Sequence, residues 1–153
     1  MYFSFELHDQ DMPGELLYIQ DEYSLLYEPF NSAVGVSIIC GSYTSLDTVL
    51  ETGLIAHISG YNSKRLWLAT DKAIPKSVKG QIRAHFDDLP QKGTGIDYDR
   101  SWKTYYNKQD TCLCLGDDSA LDDDKCIEFA NGIVAVIRGS DLVAIWAKIR
   151  EVW

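Results

Sequence analysis

The chain has 153 residues, 46% hydrophobic and 24% charged, with a formal net charge of −9. Those proportions belong to a folded globular protein and exclude a disordered one. The longest apolar stretch, AVGVSIICG, is far too short for a membrane-spanning helix.

In chain order, short β-rich runs punctuated every eight to twelve residues predict a mainly β protein built of antiparallel hairpins and meanders. YFSFEL alternates and reads as a strand. Residues 14–28, GELLYIQDEYSLLYE, fit a helix through Leu16, Ile19, Tyr23 and Leu26, or two strands around QDE. The aromatic content and Gly14 favour strands. VGVSIIC is the next strand, and LDTVLETGLIAHISGY reads as two joined near Glu51-Thr52-Gly53. RLWLA follows. VKGQIRAHF partly alternates, but PKSVKGQIRAHFDDL from Pro75 also reads as a helix, which leaves room for an α+β fold with one or two helices. KTYYNKQDTCLCLG predicts a hairpin turning at Lys108-Gln109-Asp110. No linker, repeat or low-complexity tract divides the chain, so residues 1–153 are expected to form one domain.

The last third can be registered residue by residue. Asn131-Gly132 is the preferred pair for a two-residue type I′ turn, and Gly139-Ser140 marks a second. The resulting register opposes Glu128 to Ala135, Val136 to Val143 and Ala135 to Ala144. One face then carries Ile127, Phe129, Val134, Val136, Val143 and Ile145. The other is also largely apolar, so both faces of the sheet must be covered. On that second face Glu128, Ala135 and Ala144 form a row, either a notch with an acid at its floor or a space filled by a large side chain while Lys or Arg pairs the acid.

Charge is unevenly distributed. Residues 1–63 carry −9 and residues 64–109 carry +5; residues 110–124 carry −6 and the remainder +1. A nucleic-acid binder needs a basic footprint, so no nucleic acid and no membrane is expected, and a positively charged partner is favoured. The segment GDDSALDDDKC holds Asp117, Asp118, Asp122, Asp123 and Asp124. It fails as an EF-hand, because Ala120 takes the third position from Asp118 and no glycine falls at the sixth from Asp122. It reads as an exposed docking loop or as a solvated turn. Cys112, Cys114 and Cys126 lack zinc-finger spacing and read as small buried hydrophobes, so no metal or cofactor is expected. No nucleophile elbow, Walker loop or dinucleotide fingerprint occurs, and His8, His57 and His85 are scattered. A catalytic role is therefore not expected. Trp102 and Tyr106, in SWKTYYNK, have the chemistry of interface anchors, although Tyr105 and Tyr106 face opposite sides of a strand and at least one must be core.

The succession SLDTVLETGLIAHISGYNSKRLW, SWKTYYNKQDTCLCLGDD, CIEFANGIVAVI and LVAIWAKI resembles bacterial immunity proteins encoded beside polymorphic or contact-dependent growth-inhibition toxins. The resemblance covers residues 42–149. It implies a cytosolic inhibitor that binds and neutralises one cognate toxin domain by occlusion. The acidic balance agrees with a basic toxin surface. The start lacks the basic region of a secretory signal, which is also the expectation for a cytoplasmic protein. On this reading the partner is met by the five aspartates with Trp102 and Tyr106. The alternative is a small-molecule-binding or hydrolytic β domain using the notch at Glu128.

Overall fold

The computed structural model describes all of residues 1–153. Fourteen strands make up a curled, mixed sheet, with two single 3-10 turns and no α-helix. The strands are β1 (Tyr2–Leu7), β2 (Glu15–Ile19), β3 (Ser24–Glu28), β4 (Val34–Cys40), β5 (Tyr43–Val49), β6 (Ile55–Tyr61) and β7 (Leu68–Ala69). They continue as β8 (Val78–His85), β9 (Thr94–Asp99), β10 (Thr104–Asn107), β11 (Cys112–Gly116), β12 (Lys125–Ala130), β13 (Ile133–Arg138) and β14 (Asp141–Val152). Residues 14–28 form two strands around a 3-10 turn at Gln20–Glu22.

The helix reading from Pro75 is overturned. Val78–His85 is β8, laddered along its length to β1. Its period is two, with Gly80, Ile82 and Ala84 buried on one side. A side chain at Gly80 would meet the Glu6 carbonyl at 2.7 Å, so glycine is what lets β1 approach.

Neighbouring strands run β1-β8-β12-β13-β14-β2-β3-β6-β5-β4-β9, while β11 pairs β14 and links through β10 to β7. The sheet is mainly antiparallel, as expected, but mixed. The pairs β4·β9, β7·β10, β8·β12 and β2·β14 are parallel, and each joins strands that are not chain neighbours. The twelve-residue β14 is the seam: residues 141–147 pair β13, and residues 149–152 pair β2. The curl encloses a core of 24 side chains drawn from both halves, including Phe3, Tyr18, Ile38, Ile58, Leu113 and Ile145.

Both two-residue turns form at Asn131-Gly132 and Gly139-Ser140, and Ala130 opposes Ile133 while Arg138 opposes Asp141. On the outer strand beside each turn the register slips once. Phe129 is an extra residue in β12 and Val143 an extra residue in β14, so Glu128 opposes Val134, Ile127 opposes Ala135, and Ala135 opposes Ile145. The expected row of Glu128, Ala135 and Ala144 is therefore not formed, and the two faces exchange members. Ile127, Ile133, Ala135, Ile137 and Ile145 face the main core; Val134, Val136, Ala144 and Trp146 face outward with Cys112 and Cys114. Register is weakly specified when either slip buries apolar side chains, which is the case on a strand as uniformly apolar as β13.

Both faces are covered, as the sequence requires. The cover of the outer face includes Ile74 and Tyr105. Ile74 belongs to a strap over residues 70–77 that has no regular structure. The Thr70 amide donates to the Tyr106 carbonyl at 3.1 Å, and Asn107 Nδ2 donates to the Lys72 carbonyl at 2.9 Å.

Candidate functional site

Three groups of polar side chains have the residue types for chemistry. The most buried is on the β5–β6 hairpin. Register places Asp47 opposite His57, and His57 Nδ1 lies 2.9 Å from Asp47 Oδ2. Ser45 Oγ donates to Asp47 Oδ1 at 3.0 Å, and the Asn31 amide donates to His57 Nε2 at 3.1 Å. An accepting Nε2 fixes the ring proton on Nδ1, which donates to Asp47. Serine, aspartate and histidine thus meet, but the serine is on the aspartate and the far nitrogen of the ring holds a backbone amide. That arrangement pins the 29–31 loop rather than activating a nucleophile. A second contact, Ser4 Oγ to His85 Nε2 at 2.7 Å, has the His85 ring stacked on Tyr2 at 4.3 Å between centroids. The thiols are held in their unreactive form: burial pushes Cys40 up to about 12 and raises Cys112, Cys114 and Cys126. No group of three His, Cys, Asp or Glu residues converges with metal-holding geometry.

Glu128 is not at the floor of a notch. Its Oε2 accepts the Gly132 amide at 2.9 Å, so the carboxylate closes its own hairpin turn, and the pairing partner is a backbone amide rather than Lys or Arg. Glu128 also borders an open depression with Asp11, Lys79 and Asn131.

The acidic segment divides in two, and the expectation that all five aspartates form an exposed loop fails at Asp124. Arg138, from the end of β13, reaches over it: Nε and Nη2 each donate to Asp124 at 2.9 Å, Nη1 donates to Asp117 at 3.2 Å, and Nη2 also meets the Ser119 carbonyl. The Asp124 side chain is only 1% exposed, against 42% for Asp117. The Arg138 hydrogen bonds, first among several causes, lower the Asp124 carboxyl below its ordinary value. Asp118 accepts from Thr70 and lies 3.7 Å from the Lys72 ammonium. Asp122 and Asp123 are different. They occupy the corner of a turn closed by the Asp124 amide on the Leu121 carbonyl, and both are exposed with no side-chain partner. Arg138 opposes Asp141 in register but directs its guanidinium to this segment instead.

Trp102 sits where this acidic region meets an aromatic cleft. On one side it lines an open depression of about 480 Å³ with Asp99, Asp117, Asp141 and Arg138. On the other it lines a cleft of about 490 Å³ with Tyr43, Tyr61, Trp67, Leu68 and Lys103. Its ring lies over Gly116, where a Cβ would come within 3.1 Å, and makes an edge contact with Tyr98 at 6.0 Å. Tyr106 does not line the cleft; it is half-buried behind it, with its ring 4.9 Å from Trp67. Burial raises its phenol. Tyr105 points to the opposite, outer face, as a strand requires.

The keystone of the cleft is Asn62, which the sequence reading passed over. Its Nδ2 donates to Thr44 Oγ1 at 3.0 Å and Thr104 Oγ1 at 2.9 Å, while Oδ1 accepts from Trp67 Nε1. Its carbonyl accepts from the Tyr18 hydroxyl at 2.8 Å. One side chain therefore ties β5, β10 and the 62–67 connection together and fixes the indole of Trp67. Tyr43, Tyr61 and Trp67 were also missed as a group. Their shared face depends on the pairing of Tyr43 with Tyr61 across β5 and β6, and the only local trace is the crowding of aromatics around GYNSKRLW. No family model and no curated protein matches this chain.

Proposed function

We propose that this protein is a non-catalytic, cytosolic immunity protein that binds and neutralises a cognate toxin domain by covering a basic surface on it. The observation that carries the reading is the junction at Trp102, where an aromatic wall and a carboxylate-bearing surface meet, with Lys103 beside it in both. A well-packed aromatic beside charged rim residues is the anatomy of a protein-binding hot spot. Trp102 supplies the anchor, and Tyr106 acts behind it by supporting Trp67. Asp122 and Asp123, with Asp117 and Asp118 at partial exposure, supply steering charge; Asp124 serves the fold. A net charge of −9 adds long-range attraction for a basic partner.

The test is the product of the adjacent reading frame in the genome of origin. Expressed alone, that product should arrest growth, and co-expression of this chain should restore it. The purified pair should form a 1:1 complex. In that complex Asp122→Asn with Asp123→Asn should slow association at low salt and leave dissociation unchanged, because rim charges act on encounter. A neighbour that is harmless, or whose toxicity this chain does not relieve, ends the immunity reading.

A further inference from the structure

The aromatic cleft has a chemistry that docking of a basic surface does not use. On a chain with 23 acidic residues, no carboxylate lines it, and the one charged side chain in its wall is Lys103. Lys103 has no carboxylate within ion-pair distance, and neither does Arg65. Arg100 stands beside the cleft, donating to the Ser42 carbonyl at 2.8 Å with its guanidinium 5.7 Å from the Tyr43 ring centroid, and pairs with Asp97 at 3.6 Å. Arg65 lies 5.5 Å over Tyr23. Tyr23, Tyr61 and Tyr43 form a chain of edge contacts at 6.3 and 6.1 Å. Two arginines therefore bracket a row of three tyrosines, and a lysine lies in the cleft that the last two of them line.

We propose that this cleft binds a small planar anion, an aromatic or heteroaromatic ring carrying a phosphate or a carboxylate. Tyr43, Tyr61, Trp67 and Trp102 offer ring faces and edges for stacking. Lys103 and Arg100 receive the anionic group, and the Ser42 and Ser63 hydroxyls complete a polar rim. A volume of about 490 Å³ suits a ligand of one or two rings, since pockets for small molecules begin at about 300 Å³. Aromatic cages also take cations, but here the one charged side chain in the wall is the cationic Lys103, which repels one. Trp67 is already fixed by Asn62 and packed at a tilt against Tyr18 and Tyr106, so little order has to be gained on binding. The proposal shares Trp102 and Lys103 with the partner surface, since both also line the depression beside Asp99, Asp117 and Asp141, but its test uses small molecules alone and does not depend on a partner.

The experiment is calorimetric titration of the full chain with two matched pairs, AMP against adenosine and indole-3-acetate against indole, plus inorganic phosphate alone. At least one ring-bearing anion should bind with a Kd below about 1 mM, and its uncharged counterpart about tenfold more weakly. Which anion binds distinguishes a phosphate from a carboxylate ligand. Lys103→Gln should bring the anion down toward its uncharged counterpart, and Tyr61→Ser should weaken both by about tenfold through lost stacking. Both side chains are exposed, and an unchanged denaturation midpoint checks that each variant is folded. Absence of saturable binding by either anion overturns the proposal. So does equal affinity for ring and ring-anion, affinity for inorganic phosphate as high as for AMP, or binding indifferent to both substitutions.

Discussion

Replacing His57 by Phe isolates the buried polar group of the β5–β6 hairpin. Phenylalanine keeps a ring beside Tyr27 and Phe30, which lie 5.3 and 4.9 Å from the imidazole between centroids. It removes both nitrogens. Two hydrogen bonds are lost, the 2.9 Å contact with Asp47 and the 3.1 Å bond from the Asn31 amide. Taken as net contributions these are worth about 1 kcal/mol each. The larger effect is on Asp47, whose side chain is 6% exposed and would retain only Ser45 Oγ. A buried carboxylate stripped of its partner brings the loss to about 3–5 kcal/mol. For a chain of this size that lowers Tm by about 10 °C. Adding Asp47→Asn removes the stranded charge, so the double variant should recover to a loss of about 1–2 kcal/mol. Urea unfolding followed by tryptophan fluorescence measures both, with calorimetry for Tm. Equal midpoints for the single and double variants would refute the reasoning, because they would mean that no charge is stranded. A single-variant loss below about 1 kcal/mol would do the same.

Three further outcomes follow from particular contacts. Gly116→Ala should destabilise by about 2–3 kcal/mol and shift tryptophan emission, since at φ +101° the new Cβ would meet the Val143 carbonyl at 2.5 Å and the Trp102 ring at 3.1 Å; unchanged emission and stability would contradict this packing. In native protein at pH 8 the thiols should alkylate slowly, with Cys126 first because it is the only one not fully buried, whereas all four should react quickly in urea; a fast native reaction at Cys114 would count against its placement. Asp124 has a lowered folded-state pKa, so its contribution is complete above about pH 4 and is lost as pH falls through the lowered value. The stability gap between the wild type and Asp124→Asn should therefore narrow on acidification from about pH 4 to pH 2, and a gap that widens would reverse the assignment.

The fold was legible wherever local pattern decides. Asn131-Gly132 and Gly139-Ser140 placed two turns, the β4 segment VGVSIIC matched its strand end to end, and QDE marked the β2–β3 connection. The uniform apolarity of residues 125–146 correctly implied cover on both faces. The same uniformity concealed the bulges at Phe129 and Val143, because a chain apolar on both sides gives no penalty for slipping one residue. The pairings beyond each slip, the row at Glu128 above all, failed with it, while those beside the turns formed. The β9 strand TGIDYD went unread because its side-chain pattern is polar and its pairing with β4 is parallel and distant in sequence. The aromatic cleft was illegible for a related reason. Trp102 and Tyr106 were identifiable by type and neighbourhood, but Tyr43, Tyr61 and Trp67 become one surface only after β5 and β6 pair and Asn62 closes the connection.

The aspartates of residues 117–124 show how one residue type takes two roles within a single turn. A run of like charges repels itself, and burying any member demands a counter-ion. Arg138 is that counter-ion for Asp117 and Asp124, and Lys72 lies close to Asp118. Those three contacts tie the connection between β11 and β12 to the end of β13 and to the strap over the outer face. With Asp117, Asp118 and Asp124 held by two cations from within, the carboxylates left without a partner of their own are Asp122 and Asp123 at the exposed corner. Removal of Asp124 should therefore appear in stability and its pH dependence, and removal of the corner pair in association rate alone. A variant at Asp124 that slowed association without loosening the fold, or a corner pair that proved essential to stability, would mean that the division of labour drawn from Arg138 is the wrong one.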